Sequence, residues 1–189
     1  MILFINACAR PESRTHHLAE KALKMLKDDD VVTLNLYDEK PTPMDNERLT
    51  KRNALLDKKD YSDPIFRFAN QFKEADTVLI AAPYWDLSFP SILKCYVEAI
   101  CADGLTFYYD NTGTPRSLCK VKKLIYVMTA GGPVPDSYNM GFEYFKNLFG
   151  MFFEVKDSVC FKAEELDIWG NDPEAILKKA EEEIESTLA

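Results

Sequence analysis

The sequence predicts an open, doubly wound α/β fold: a five-stranded parallel sheet with helices on both faces, in one domain over 1–189. Three observations carry this. Short, solidly apolar runs (ILFINA, TVLIAA, KLIYVMT) read as strands buried on both faces, as parallel strands are. Segments with helical apolar spacing alternate with them along the chain. The 189 residues hold five such units, whereas a (β/α)₈ barrel needs eight units and about 250 residues.

Ile2 to Ala7 is the first strand, and Arg10 to Arg14 a loop. Thr15 to about Lys27 has Leu18, Ala22, Met25 and Leu26 on one helical face. The acidic run Asp28-Asp29-Asp30 reads as a solvated turn, and Val31 to Tyr37 alternates as a second strand. Asp38 to Asp60 is polar, charged and proline-bearing, a long excursion with one short helix. A helix from Pro64 to Glu74 precedes the third strand, TVLIAA. Pro83 to Pro90 then leads into a helix over Ser91 to Ala102 and the aromatic stretch LTFYYD, which ends in the turn signal Asp110-Asn111-Thr112-Gly113. The fourth strand, residues 123 to 129, runs into Ala130-Gly131-Gly132-Pro133 and a helix from Tyr138 to Phe149. Phe153 to Phe161 is the fifth strand; Asp172-Pro173 opens a closing helix that reaches Leu188.

Composition narrows the partners. With 47% hydrophobic and 29% charged residues, a chain of this length can bury a core without disulfides or a structural metal. A formal charge of -8, with no long Lys/Arg run, argues against nucleic acid. Cys8, Cys95, Cys101, Cys119 and Cys160 form no CxxC pair and no metal-spaced cluster. Four of the five lie in apolar contexts and read as small hydrophobes, in a reducing compartment, which points to the cytoplasm. The apolar N-terminus is too short for a signal sequence, and no stretch approaches the roughly 20 residues of a membrane helix.

Ligands of open α/β sheets bind beyond the carboxyl ends of the strands, so the loops after strands one, three and four decide the function. The first is Cys8-Ala9-Arg10-Pro11-Glu12-Ser13-Arg14-Thr15. Its hydroxyls stand where a helix begins and suit a phosphate, although Ser13 or Thr15 would serve equally as a plain helix cap. Neither GxGxxG nor GxxxxGK[ST] occurs, so a dinucleotide fingerprint and a P-loop are both unsupported. The loop after strand three places two large rings, Tyr84 and Trp85, at the surface. The loop after strand four, Thr129-Ala130-Gly131-Gly132, lets something flat come close to the backbone, or is an ordinary turn. Together the three describe a slot for a flat ring with a phosphorylated tail. His16, His17 and Glu181-Glu182-Glu183 read as surface residues; Phe142 to Phe153 supply core plus a subunit interface.

At these residues the chain resembles the flavodoxin-like NAD(P)H:quinone reductases and FMN-dependent azoreductases. APYWDLSFPSILKCYVEAI follows the family pattern of Pro, aromatic loop, Pro, Leu-Lys and helix. GLTFYYD is similar to the family's Gly-Val-Thr-Phe-Arg-Tyr segment, and Thr129 to Gly132 to its Thr-Thr-Gly-Gly or Ser-Arg-Gly-Gly. The resemblance implies that Ser13, Arg14 and Thr15 hold the flavin phosphate, with Cys8 and Arg10 nearby. Pro83, Tyr84, Trp85, Asp86 and Leu87 would edge the ring, and Thr129, Ala130, Gly131 and Gly132 its pyrimidine side. Tyr138 resembles a tyrosine placed over the substrate. The first loop departs from the family in carrying Cys8-Ala9-Arg10 where azoreductases have serines, and Trp85-Asp86 replaces a common Asn.

The resemblance also implies FMN rather than FAD, NAD(P)H as electron donor, and a homodimer with its active site at the subunit boundary. The chemistry it implies is hydride transfer to the flavin and on to a quinone, azo compound or similar small-molecule acceptor. Two other functions fit the same fold: a flavodoxin-like electron carrier, which NADH would not reduce directly, and a flavin-free binding module, which would be colourless.

Overall fold

The structure, a computed structural model, describes residues 1–27 and 30–189; Asp28 and Asp29 of the acidic run lie outside the described residues. Five strands form one parallel sheet: β1 (Ile2–Asn6), β2 (Val31–Asn35), β3 (Thr77–Ala81), β6 (Lys123–Thr129) and β7 (Asp157–Ala163), in the order β2-β1-β3-β6-β7. This is the 2-1-3-4-5 order of one of the two common doubly wound folds. Side chains alternate across the sheet as the pleat requires. Leu3, Ile5, Val78, Ile80, Leu124 and Tyr126 enter one core, and Phe4, Leu79, Ala81, Ile125 and Val127 the other. The first core is closed by α4 (Arg67–Glu74), α5 (Ser91–Ile100) and α6 (Met140–Phe153), the second by α1 (Arg14–Leu26) and α7 (Pro173–Leu188). Among the described residues no helix is long and apolar enough to cross a membrane.

Several elements differ from the sequence expectation, each for a local reason. The second strand stops at Asn35, whose side chain accepts the Tyr37 N–H and starts the short helix α2 (Leu36–Glu39). The excursion holds a second and longer helix, α3 (Asn46–Asp57), capped by Asp45. None of its residues is buried, so it left no apolar stripe to read. LTFYYD supplies β4 (Phe107–Tyr109), which pairs with β5 (Pro115–Ser117) in a small antiparallel hairpin. Its turn is held by the Asp110 carboxylate, which accepts from Thr112 N (2.9 Å) and Thr114 N (3.1 Å). Phe153, expected to open the last strand, closes α6 instead: Phe145, Phe149 and Phe153 recur at helical spacing and all are buried. Tyr138 precedes α6 in a 3₁₀ turn over Asp136–Tyr138.

The parallel register brings the functional loops together. Asn6 lies beside Asn35 and Ala81, Ala81 beside Val127, and Thr129 beside Ala163, so the strands end along one edge.

Candidate active site

At that edge the chain leaves β1 and turns into α1. Ser13 is the N-cap of α1, its hydroxyl accepting the His16 N–H at 3.3 Å. Arg14 and Thr15 form the opening turn. The leading N–H groups of an α-helix have no partner within it, and the helix dipole puts positive charge there, so this end favours an anion. Thr15 is buried, and its hydroxyl shares a 2.7 Å hydrogen bond with that of Thr129 at the end of β6. Cys8 sits beneath the loop with 6% exposure, its N–H donating to Asn6 Oδ1 at 3.0 Å. Burial pushes its thiol up to about 11, against opposing hydrogen bonds to Ser13 and the His16 backbone, so it stays a protonated thiol.

The loop after β3 is tied to β6 before it turns outward: Ala82 N–H donates to the Val127 carbonyl and Tyr84 N–H to that of Thr129, both at 3.0 Å. Trp85 and Ser88 then exchange two backbone hydrogen bonds, of 2.8 and 3.3 Å, around Asp86 and Leu87. Both central residues have positive φ, 51° and 65°, which makes this a type I′ turn built without glycine. The left-handed region costs a non-glycine residue about 1–2 kcal/mol, so the turn stores strain at the proposed ring edge. Phe89 anchors the loop, packing on Tyr144 and Phe145 with ring centroids 5.4 and 5.1 Å away. Trp85 and Leu87 are left 41% and 46% exposed. The Tyr84 hydroxyl crosses to donate to the Tyr138 carbonyl at 3.0 Å, while the Tyr138 side chain is half exposed.

The third loop follows β6. Ala130 N–H donates to the Ala163 carbonyl at 2.9 Å, and Asp167 N–H to that of Gly131, also at 2.9 Å. This zips the segment after β7 onto the glycines. A Cβ added at Gly131 would collide with Asp167 Oδ2, whereas one at Gly132 would meet open space. The missing Cβ at 131 thus leaves room for the Asp167 carboxylate, which a side chain there would have to push aside.

A cavity of about 320 Å³ opens where these loops meet. Arg10, Glu12, Ser13, Arg14 and Thr15 line it from the first loop, Pro83, Tyr84 and Trp85 from the second, and Thr129, Ala130 and Gly131 from the third, with Asp167 beside them. Cys8, Asp86, Leu87, Gly132 and Tyr138 are not on its wall. Asp86 and Leu87 form the turn beside Trp85, and Tyr138 is linked to the wall through Tyr84. Glu12 and Asp167 were not singled out from the sequence. A larger groove, about 640 Å³, runs along β7 between α6 and α7; charged side chains dominate it and it gathers none of the three loops.

A family model described as a flavodoxin-like fold (Flavodoxin_2) matches residues 1–188. The chain belongs to this flavodoxin-like family. Among curated relatives of this flavodoxin-like protein, the FMN-dependent NADH:quinone oxidoreductase 2 of Clostridium acetobutylicum is 35% identical over 187 residues, covering 94% of this chain and 92% of the relative. The FMN-dependent NADH:quinone oxidoreductase of Lachnoclostridium phytofermentans is 36% identical over 188 residues, with 96% and 94% covered. Among solved structures, an azoreductase from Bacillus anthracis superposes with a TM-score of 0.86 at 24% identity, over 99% of this chain and 97% of that one. The azoreductase AzrA gives 0.85 at 25% identity, over 99% and 98%.

Proposed function

We propose that this chain is an FMN-dependent oxidoreductase that passes a hydride from NADH to a quinone, azo compound or similar small acceptor. The observation that carries the reading is the convergence, in one cavity, of an anion-suited helix start, an aromatic type I′ turn and a glycine-bearing loop. That donor set fits a flat ring with a phosphate tail, and the relatives named above are FMN-dependent NADH:quinone oxidoreductases. FMN, when bound, supplies the hydride chemistry, since a protein has no hydride carrier of its own.

The chain's residues do the holding. The start of α1, with Ser13, Arg14 and Arg10, takes the phosphate. Tyr84 and Trp85 cover the ring edge, and the strained turn at Asp86 and Leu87, beside the wall, holds Trp85 in a fixed position, which costs no reorganisation during reaction. Tyr138, held through its carbonyl by Tyr84, stands on the acceptor side. In this reading the chain is one flavin-binding domain that works in the cytoplasm as a homodimer.

Two measurements test it. Purified protein is expected to show the visible spectrum of a flavin, released as FMN on denaturation, or to take up added FMN. Stopped-flow mixing with NADH is then expected to bleach that spectrum, and a quinone to restore it. A colourless protein that takes up no FMN would end the proposal; a yellow protein that NADH does not bleach would make it an electron carrier.

A further inference from the structure

The cavity contains a carboxylate that works against an anionic ligand. Arg14 Nη2 donates to Asp167 Oδ1 at 2.9 Å, and Nη1 reaches the Leu166 carbonyl at 3.5 Å. Asp167 is delivered from the β7–α7 segment, which three backbone hydrogen bonds fix to the glycine loop: Glu165 N–H to the Gly132 carbonyl (3.1 Å), Leu166 N–H to Ala130 (3.2 Å) and Asp167 N–H to Gly131 (2.9 Å). The missing Cβ of Gly131 makes the room that the carboxylate occupies. Two cations, Arg10 and Arg14, and two anions, Glu12 and Asp167, thus line the cavity, and their formal charges cancel.

We propose that Asp167 and the cofactor phosphate compete for Arg14, so that Asp167 sets how strongly this site prefers a phosphorylated flavin over an unphosphorylated one. The inference rests on the flavin reading above. Carboxylate and phosphate each offer two oxygens on one atom to the same guanidinium fork. While Arg14 is paired, a phosphate entering the cavity meets no net positive charge from side chains. It depends on the opening N–H groups of α1 and on Ser13. To recruit Arg14 it must draw the guanidinium away from Asp167 or share it, with the Asp167 charge still close by. A flavin without phosphate feels neither the arginine nor the repulsion. Three backbone hydrogen bonds hold the Asp167 main chain in place, so its charge stays beside the cavity, while the longer Arg14 side chain has the reach to turn from the carboxylate toward a phosphate. The two side chains are 33% and 64% exposed, so water screens the competition and the effect is modest.

The test is a pair of titrations of the full-length protein freed of flavin, with FMN and with riboflavin, read by flavin fluorescence. Asp167→Asn keeps the size and one acceptor oxygen but removes the charge. Its Kd for FMN is expected to fall about threefold to tenfold, the scale of one partly screened charge at close range, while that for riboflavin stays within about twofold. An FMN Kd that is unchanged or raised overturns the proposal, and a raised one makes Asp167 a group that orients Arg14. Equal shifts for both flavins also overturn it, because they would act on the ring and not on the phosphate. Asp167→Ser, which removes the charge with a smaller side chain, gives the same test should the Asn variant fail to fold. If the wild type binds neither flavin, the flavin reading fails and this inference with it.

Discussion

Gly141→Ala should destabilise this protein although alanine is the better helix former. Gly141 is the second residue of α6 and is buried. A Cβ there would lie 2.7 Å from Tyr126 Oη and 3.3 Å from the Ser88 carbonyl oxygen. Neither neighbour yields easily. The Tyr126 ring is 1% exposed, with the Phe142 and Phe145 rings 6.1 and 5.7 Å from it. Ser88 is backbone, and its carbonyl already accepts the Trp85 N–H of the type I′ turn at 3.3 Å. Forcing a methyl group into a packed site costs about 1–3 kcal/mol, against a propensity gain of at most about 1 kcal/mol for replacing glycine in a helix. Taking the middle of that cost, about 2 kcal/mol, the expected net loss is about 1–2 kcal/mol, or about 2–8 °C in Tm for a chain of this size.

Urea unfolding measures this as a lower midpoint with an unchanged slope. The same push on Ser88 loosens the turn that edges the cavity, so flavin affinity should fall with stability. A Gly141→Ala protein as stable as the wild type, with the same FMN affinity, would refute the claim that α6 braces the turn through this contact.

Other consequences can be checked more briefly. Gly131→Val drives a branched side chain into the Asp167 carboxylate and displaces it into the cavity, so FMN and riboflavin affinities should both fall sharply; near-native FMN binding by the folded variant would discount the slot. Ser13→Ala removes the N-cap of α1, at a cost of about 1 kcal/mol in stability, and should weaken FMN more than riboflavin; equal losses would take Ser13 off the phosphate. Tyr108 and Tyr109, 43% and 51% exposed on the β4–β5 hairpin, fit a subunit interface, so Tyr108→Ser/Tyr109→Ser should shift a dimer toward monomer in light scattering; a wild type that is monomeric at micromolar concentration with full turnover would remove the dimer from the mechanism.

The parts of the fold legible in the sequence were those with one dominant cause. β1, β3 and β6 are buried on both faces, so nothing but an apolar run could serve, and their bounds lie within one residue of the expectation. Where two signals competed, the louder one misled. VVTLNLY alternates through Tyr37, but Asn35 caps a helix inside it. Phe153 looks strand-like beside Val155, yet its four-residue spacing from Phe149 and Phe145 already belonged to α6. The three loops that meet at the cavity were picked out by their place at the strand ends; only the aromatic loop is unusual in itself, since Ser13 or Thr15 reads equally as a cap and Thr129 to Gly132 as a turn. Asp167 was not picked out: one acid among 31 carries no mark, and its place depends on sheet register and on a glycine 36 positions earlier (167 − 131 = 36). A carboxyl-terminal loop after the fifth strand could have been searched for cavity residues by the same edge rule that flagged the other three.

Thr129 is where the walls of the cavity are joined. Its carbonyl takes the Tyr84 N–H, its hydroxyl pairs with Thr15, and the residue after it pairs with Ala163. The helix start, the aromatic turn and the glycine loop are therefore each referred to the last residue of β6, a strand in the interior of the sheet. A site built from three loops would ordinarily inherit loop mobility, since connecting segments are the mobile parts of a fold. Here each loop is pinned to rigid sheet within a few residues of the cavity, and the two buried or crowded glycines, Gly131 and Gly141, remove the side chains that would hold the outer layer away. The length of free chain between pin and ligand is what sets positional error. With Tyr84 pinned, only Trp85 and the two turn residues remain before Ser88 closes the turn, and those two are held in left-handed conformations that residues other than glycine seldom adopt. Such a site is suited to fixing one rigid, flat ligand, and the adaptable parts are the side chains left open to solvent beside it, Trp85 and Tyr138.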